Sequence, residues 1–142
     1  MILRKIKKED ILQIVDLETK FLGETIGEEL LLESIQTPHL YFYVIEKEKV
    51  FGYIGACILA GQTEILNFVI DENHQRNGLG QMLFDKVIED SKKNNSESIV
   101  LEVKVNNQKG INFYEKNNFK VINIRKNYYA DGTDAYLMLK EL

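Results

Sequence analysis

The sequence has little of what disulfide-stabilised, membrane-spanning or nucleic-acid-binding proteins require. It has a single cysteine, Cys57, so no disulfide can form within the chain, and it has one proline and no tryptophan. No apolar run approaches the roughly 20 residues of a transmembrane helix, because Gly52, Gly55 and Gly61 interrupt the longest ones. The formal net charge of −4 disfavours general affinity for nucleic acids. We therefore expect no membrane partner and no direct nucleic-acid partner.

Length and composition predict one folded domain over residues 1–142. The chain is 44% hydrophobic and 28% charged, which is ordinary for a soluble globular protein. Two basic pairs, Arg4-Lys5 and Lys7-Lys8, precede any apolar stretch, so the start does not resemble a secretory signal peptide. We expect a cytoplasmic protein whose acidic character suits a basic peptide or a cationic amine as its substrate.

Hydrophobic periodicity predicts the element order β-α-α-β-β-β-α-β-α-β-β. Short polar links between the second, third and fourth strands favour an antiparallel meander, and the strand–helix–strand crossover that follows favours a parallel step. Together they predict an α/β or α+β mixed sheet. The strands are expected at 1–6, 40–46, 50–60, 63–70, 99–105, 119–127 and 134–139, and the helices at 8–21, 27–35, 79–93 and 107–117.

The helix over 79–93 has a clear apolar stripe. Its spacing directs Leu79, Met82, Leu83 and Val87 towards the sheet and places Asp90 among the residues that face water. This stripe is typical of a core-facing helix, so it carries no prediction about a ligand.

The segment between the strand over 63–70 and this helix reads Gln75-Arg76-Asn77-Gly78-Leu79-Gly80. Its glycines let the backbone approach a ligand closely, and the start of the following helix attracts anions. No Gly-Lys-Ser/Thr follows, which excludes a nucleotide-binding P-loop, and the third glycine of a dinucleotide fingerprint is missing. The segment therefore predicts a site for the pyrophosphate of another kind of ligand.

Gln75, Gly78 and Gly80 match the acetyl-coenzyme A motif Arg/Gln-x-x-Gly-x-Gly/Ala, and the segment resembles that of the GNAT superfamily of N-acetyltransferases. Later segments resemble the bacterial ribosomal-protein-alanine N-acetyltransferases (RimI type) in order and spacing. The resemblance implies the GNAT acyltransferase fold, in which the two strands flanking the glycine loop and its helix splay apart around acetyl-CoA. The matching segments are Leu101-Glu102-Val103-Lys104, Asn106-Asn107, Phe113-Tyr114-Glu115, Asn118-Phe119 and Arg125-Lys126-Asn127-Tyr128-Tyr129.

The same resemblance implies how the donor is held, with no metal. Backbone groups of Phe68 and Val69 would pair with the pantetheine amides and leave one N–H as an oxyanion donor. Asn107 would hydrogen-bond the cofactor arm, although a plain helix N-cap explains it equally well. The pyrophosphate would be bound by the backbone of Arg76, Asn77, Gly78, Leu79 and Gly80, with the side chains of Gln75 and Arg76 nearby.

Glu102 and Tyr114 match the acid–base pair of that branch. Glu102 would be the general base, acting directly or through a water; alternatively it is a surface glutamate paired with Lys104 or with a neighbouring strand. Tyr114 would be the general acid for the coenzyme A thiolate, because a phenol with a pKa of roughly 10 carries its proton at neutral pH. The alternative for Tyr114 is a core aromatic residue.

The expected acceptor is the α-amine of a protein, most specifically the N-terminal alanine of ribosomal protein S18. An α-amine has a pKa of roughly 7.7–8.0, against about 10.4 for lysine, so a carboxylate deprotonates it more easily. Tyr128 and Tyr129 would form part of the acceptor wall, or else only the tip of a hairpin. Two alternatives remain: a small-molecule amine or a lysine as acceptor, and a non-catalytic coenzyme A-binding sensor or interaction module.

Overall fold

The computed structural model describes residues 1–74 and 78–142, and within them the predicted order of strands and helices is confirmed. Two single-turn 3₁₀ segments, Lys8–Asp10 and Glu72–His74, precede the first helix and follow the fourth strand. None of the described helices is long and apolar enough to cross a membrane. The elements are β1 (Ile2–Lys5), α1 (Ile11–Leu22), α2 (Glu28–Ser34), β2 (Leu40–Lys47), β3 (Lys49–Leu59), β4 (Gln62–Ile70), α3 (Leu79–Lys93), β5 (Ser98–Lys104), α4 (Gln108–Lys116), β6 (Lys120–Arg125) and β7 (Ala135–Glu141).

The seven strands form one mixed sheet in the order β1-β2-β3-β4-β5-β7-β6. The meander of β2, β3 and β4 is antiparallel, as expected, and β4 and β5 are parallel. The pairing of β4 with β5 extends only from Gln62 to Glu64, although β4 remains paired with β3 as far as Ile70. The two central strands therefore separate beyond Glu64, which confirms the predicted splay.

A bulge in β4 lies where the separation begins. Gly55 of β3 pairs with Asn67 and Ala56 pairs with Ile65, so Leu66 is an extra residue in β4. A bulge bends its strand and increases the local twist. Here it turns the second half of β4 away from β5.

Each face of the sheet is covered by a pair of helices. α3 and α4 pack on one face, and α1 and α2 pack on the other, each over its own apolar cluster. We refer to these as the α3/α4 face and the α1/α2 face.

Three positions of α3 differ from the predicted stripe. Met82 is 42% exposed, whereas Phe84 is fully buried and packs against the rings of Phe113 and Phe119. Asp90 is buried rather than solvated, because its carboxylate accepts a hydrogen bond from the hydroxyl of Tyr43 on β2. Aromatic packing and a distant tyrosine, neither visible in the periodicity of α3, decided which side chains of this helix face the sheet.

Candidate active site

A cleft of about 420 Å³ opens where β4 and β5 separate. Side chains alternate across β5, so Leu101 and Val103 belong to the α3/α4 face and Glu102 to the α1/α2 face. Both faces contribute to the lining, and the cleft therefore passes through the sheet. The lining residues from the α3/α4 face include Phe68, Asn107 and Tyr114, and those on the other side include Phe21, Leu22, Glu24, Thr25, Ile26, Glu102, Lys104, Tyr128 and Tyr129.

The second half of β4 presents backbone to this cleft. Its pairing with β5 ends at Glu64, and the N–H of Phe68 donates to the side-chain oxygen of its neighbour Asn67, at 3.3 Å. Backbone polar groups at such an edge can pair with the amides of an extended ligand. Phe68 lines the cleft, whereas the side chain of Val69 is buried among the residues of the α1/α2 cluster and its backbone is paired with Tyr53 of β3.

The predicted phosphate loop is described only in part. Gln75, Arg76 and Asn77 lie outside the described residues. Gly78 caps α3 with a φ of 75°, a left-handed conformation that favours glycine. A Cβ on Gly80 would lie 3.2 Å from the ring of Phe68, so the start of α3 packs closely beside the cleft.

Leu79 lies between Gly78 and Gly80 in this predicted loop. Its side chain is buried and belongs to the α3/α4 cluster. Its side chain anchors the first turn of α3 to the sheet. Only its backbone N–H could therefore contribute to an anion site at the helix start.

Glu102 lies in the cleft with 19% of its side chain exposed. Burial is the main cause that raises the pKa of its carboxyl, and the nearby carboxylate of Glu64 raises it further. Arg125 of β6 opposes both, with its Nε 3.4 Å from Oε1 of Glu102. Lys104, the partner considered from the sequence, instead pairs with Asp131 at 3.1 Å. Glu102 is thus ion-paired and placed in a site that favours proton uptake.

Tyr114 approaches the cleft from α4, on the opposite face. Its ring is buried and packs against Phe84 and Phe119. Burial, with a smaller effect of Tyr129, raises the pKa of its phenol, so the hydroxyl keeps its proton at neutral pH. Tyr114 is therefore both a core aromatic residue and a protonated group at the cleft.

Asn107 has the N-cap role that was expected as one of its two alternatives. It is the N-cap of α4, and its side-chain oxygen accepts the N–H of Gly110 at 3.0 Å. It also lines the cleft, so the cap holds this side chain at the edge of the ligand space.

Tyr128 and Tyr129 lie in the hairpin between β6 and β7 and line the cleft. Their rings meet edge to face, with centroids 5.1 Å apart. Burial, with Glu102 next in importance, raises the pKa of Tyr129 to about 12. The N–H of Ala130 donates to Oε1 of Glu24 at 3.0 Å, which joins this hairpin to the loop between α1 and α2 across the α1/α2 side of the cleft.

Sequence reasoning missed Asn67, which lines the cleft, and Glu18, which lies behind it. Glu18 is fully buried and accepts a hydrogen bond from the side-chain amide of Asn67. The sequence did contain one signal of this contact. Glu18 follows Ile11 by seven residues and Ile14 by four, so it falls within the apolar stripe of α1. A charged residue inside such a stripe marks a buried polar contact.

Comparison with known proteins gives matches along the whole chain. The family model described as "Acetyltransferase (GNAT) family" matches residues 9–119. The N-alpha-acetyltransferase of Saccharolobus solfataricus is 33% identical, covering 99% of this chain and 92% of its own length. The putative [ribosomal protein bS18]-alanine N-acetyltransferase of Bacillus subtilis is 31% identical, with coverages of 95% and 91%. The crystal structure of Ard1 from Thermoplasma volcanium superposes with a TM-score of 0.89 at 27% identity, covering 99% of this chain and 97% of its own.

Proposed function

Because the chain belongs to the GNAT family of acetyltransferases, we propose that it moves the acetyl group of acetyl-CoA to the α-amine of a protein N-terminus, and that this acceptor is the N-terminal alanine of ribosomal protein S18. The observation that carries the proposal is the cleft through the sheet. Glu102 reaches it from the α1/α2 face and Tyr114 from the α3/α4 face, so a base and an acid lie on opposite sides of one opening.

The residues of the cleft fit the chemistry of the donor. The part of β4 that is not paired with β5, which includes Phe68 and Val69, suits the amides of an extended pantetheine arm, with Asn107 on the other side. The glycine-capped start of α3 suits a pyrophosphate, because its N–H groups and dipole attract anions. Once bound, acetyl-CoA supplies a thioester carbonyl that an amine can attack.

The amine must lose its proton before it attacks, and in this proposal Glu102 takes that proton directly or through a water. Its raised pKa brings proton uptake closer to neutral pH than for an exposed glutamate. Tyr114 keeps its proton and gives it to the departing sulfur on the opposite face. A backbone N–H of the β4 edge is the oxyanion donor.

The acceptor side suits a positively charged N-terminus. Glu24 and Glu102 line it, and Glu64 is close enough to Glu102 to act on its charge, while Lys104 and Arg125 are already paired with Asp131 and Glu102. Such a negative surface attracts ammonium groups and basic peptides. The bridge between Glu24 and Ala130 narrows the approach, which favours a flexible N-terminal segment over a folded surface. The relative from Bacillus subtilis is itself named for bS18 alanine acetylation.

The acceptor is tested by following acetyl-CoA turnover by mass spectrometry with three substrates. These are a peptide with the N-terminal sequence of S18 from the same organism, that peptide with its α-amine blocked, and a mixture of polyamines. We expect acetylation of the free peptide only. Polyamine acetylation would replace the proposed acceptor with a small amine, and coenzyme A binding without turnover of any of the three would favour a sensor.

A pair of charge variants tests whether Glu102 is the base. Glu64→Gln removes a neighbouring negative charge and should lower the pKa of Glu102, whereas Arg125→Gln removes the opposing cation and should raise it. A base must be ionised, so its activity falls as pH drops through its pKa. The acid limb of the kcat/KM profile should therefore move to lower pH in Glu64→Gln and to higher pH in Arg125→Gln. Shifts in the same direction, or none in either variant, would exclude Glu102 as the titrating base.

A further inference from the structure

The buried carboxylate of Glu18 takes part in none of the steps above. It lies on α1, with no exposed surface, and accepts hydrogen bonds from three side chains on three different segments. These donors are the hydroxyl of Tyr53 on β3, the amide of Asn67 on β4, and the hydroxyl of Thr25 in the loop between α1 and α2. The N–H of Ile26 makes a longer contact with it, at 3.4 Å.

Burial of a carboxylate is costly unless hydrogen-bond donors satisfy it. Glu18 lies beside Ile14 and Leu17, both buried in the α1/α2 cluster, where an apolar side chain would extend the stripe at no such cost. The three donors offset the cost only while α1, the loop and both strands keep their present arrangement. Glu18 thus makes the position of the loop depend on the position of β4.

Three of the groups that Glu18 binds are at the cleft. Thr25, Ile26 and Asn67 all line it, whereas Glu18 itself does not. Asn67 uses its amide nitrogen for Glu18 and its oxygen for the N–H of Phe68, so the orientation of its side chain is fixed from both ends. The loop of residues 23–27 stands on the acceptor side, and β4 carries the backbone edge assigned to the donor.

We propose that Glu18 is a positioning residue for acceptor binding, which holds the loop of residues 23–27 at a set distance from the bulge of β4. The acceptor role rests on the function proposed above. Loss of the link should weaken binding of the acceptor and leave binding of acetyl-CoA unchanged, since the donor edge of β4 remains paired with β3.

Two substitutions, each of which removes one hydroxyl that donates to Glu18, provide a matched test. Thr25→Val disconnects the loop, whereas Tyr53→Phe removes a donor that does not line the cleft. We expect Thr25→Val to raise KM for the acceptor about fivefold, with kcat and the KM for acetyl-CoA little changed, because the loop loses the hydrogen bonds that this hydroxyl makes with Glu18 and with the N–H of Gly27 and then holds the acceptor less well. Tyr53→Phe should leave the acceptor KM within about twofold of the parent enzyme. Thr25→Ser, which keeps the hydroxyl, should recover most of the lost affinity.

Hydrogen exchange gives a readout that needs no acceptor. The N–H of Ile26 donates to the carboxylate of Glu18, and the N–H of Gly27 donates to the hydroxyl of Thr25. The amides of the loop should therefore exchange faster in Thr25→Val and in Glu18→Gln, and not in Tyr53→Phe. An unchanged acceptor KM in Thr25→Val would overturn the proposal. So would equal loop exchange in Thr25→Val and Tyr53→Phe, even if no acceptor were turned over and the proposed function had failed.

Discussion

Replacement of Glu102 with glutamine should lower kcat/KM for the acceptor by at least about 100-fold, the usual contribution of a positioned general base. Glutamine has nearly the same shape and keeps an oxygen that can face Arg125, but it cannot take a proton from the amine. The donor contacts proposed above lie on the edge of β4, at Asn107 and at the start of α3 and do not include Glu102, so the affinity for coenzyme A should be retained. Steady-state kinetics at saturating acetyl-CoA, together with calorimetric titration of coenzyme A, measures both quantities.

Glu97 provides the control for this experiment. It is an exposed glutamate directly before β5, outside the cleft lining, and Glu97→Gln should change the rate by less than about twofold. A Glu102→Gln enzyme with full activity across the pH range would show that the amine is deprotonated elsewhere. Loss of coenzyme A binding in that variant would show that Glu102 supports the donor site instead.

The second large effect is expected for Tyr114→Phe. Removal of the hydroxyl leaves the ring packed against Phe84 and Phe119 but removes the proton for the departing sulfur, so kcat should fall by about 100-fold. The KM for acetyl-CoA should change little. The loss should shrink with an acetyl thioester of a more acidic thiol, since a better leaving group needs less help from an acid.

Tyr136→Phe is the matched control for this variant. Tyr136 is half-buried on β7 and packs against the same α3/α4 cluster, but it does not line the cleft. If the two variants lost activity equally, the effect of Tyr114→Phe would be one of packing. If Tyr114→Phe lost as much with the better leaving group as with acetyl-CoA, Tyr114 would not be the acid.

Local patterns were sufficient to predict the order of elements, whereas the splay was implied by the resemblance to the GNAT superfamily. The alternation in β5 and the glycines at 78 and 80 are short-range features of the sequence. The resemblance named Glu102, Tyr114, Asn107 and the paired tyrosines as site residues, and in the structure they all line one cleft. Periodicity could not reveal the environment of single side chains. Asp90 is buried because a tyrosine 47 residues away donates to it, and nothing in α3 itself indicates that partner.

The network around Glu18 was missed for the same reason. Its partners Tyr53 and Asn67 are 35 and 49 residues away in sequence, and the bridge from Glu24 to Ala130 spans 106. Such contacts are set by which strands become neighbours and by the bulge at Leu66, both of which are properties of the assembled sheet. They also determine the shape of the acceptor side, which is why donor chemistry was easier to predict than acceptor positioning.

The central claim is that acetyl is transferred to an α-amine through the cleft between β4 and β5. It is tested most directly with one peptide that carries both a free N-terminal alanine and an internal lysine, followed by tandem mass spectrometry to locate the acetyl group. The account predicts acetylation of the α-nitrogen alone, with the product lost in Glu102→Gln and retained in Glu97→Gln. Acetyl found on the lysine, or on the α-nitrogen at an unchanged rate in Glu102→Gln, would contradict it.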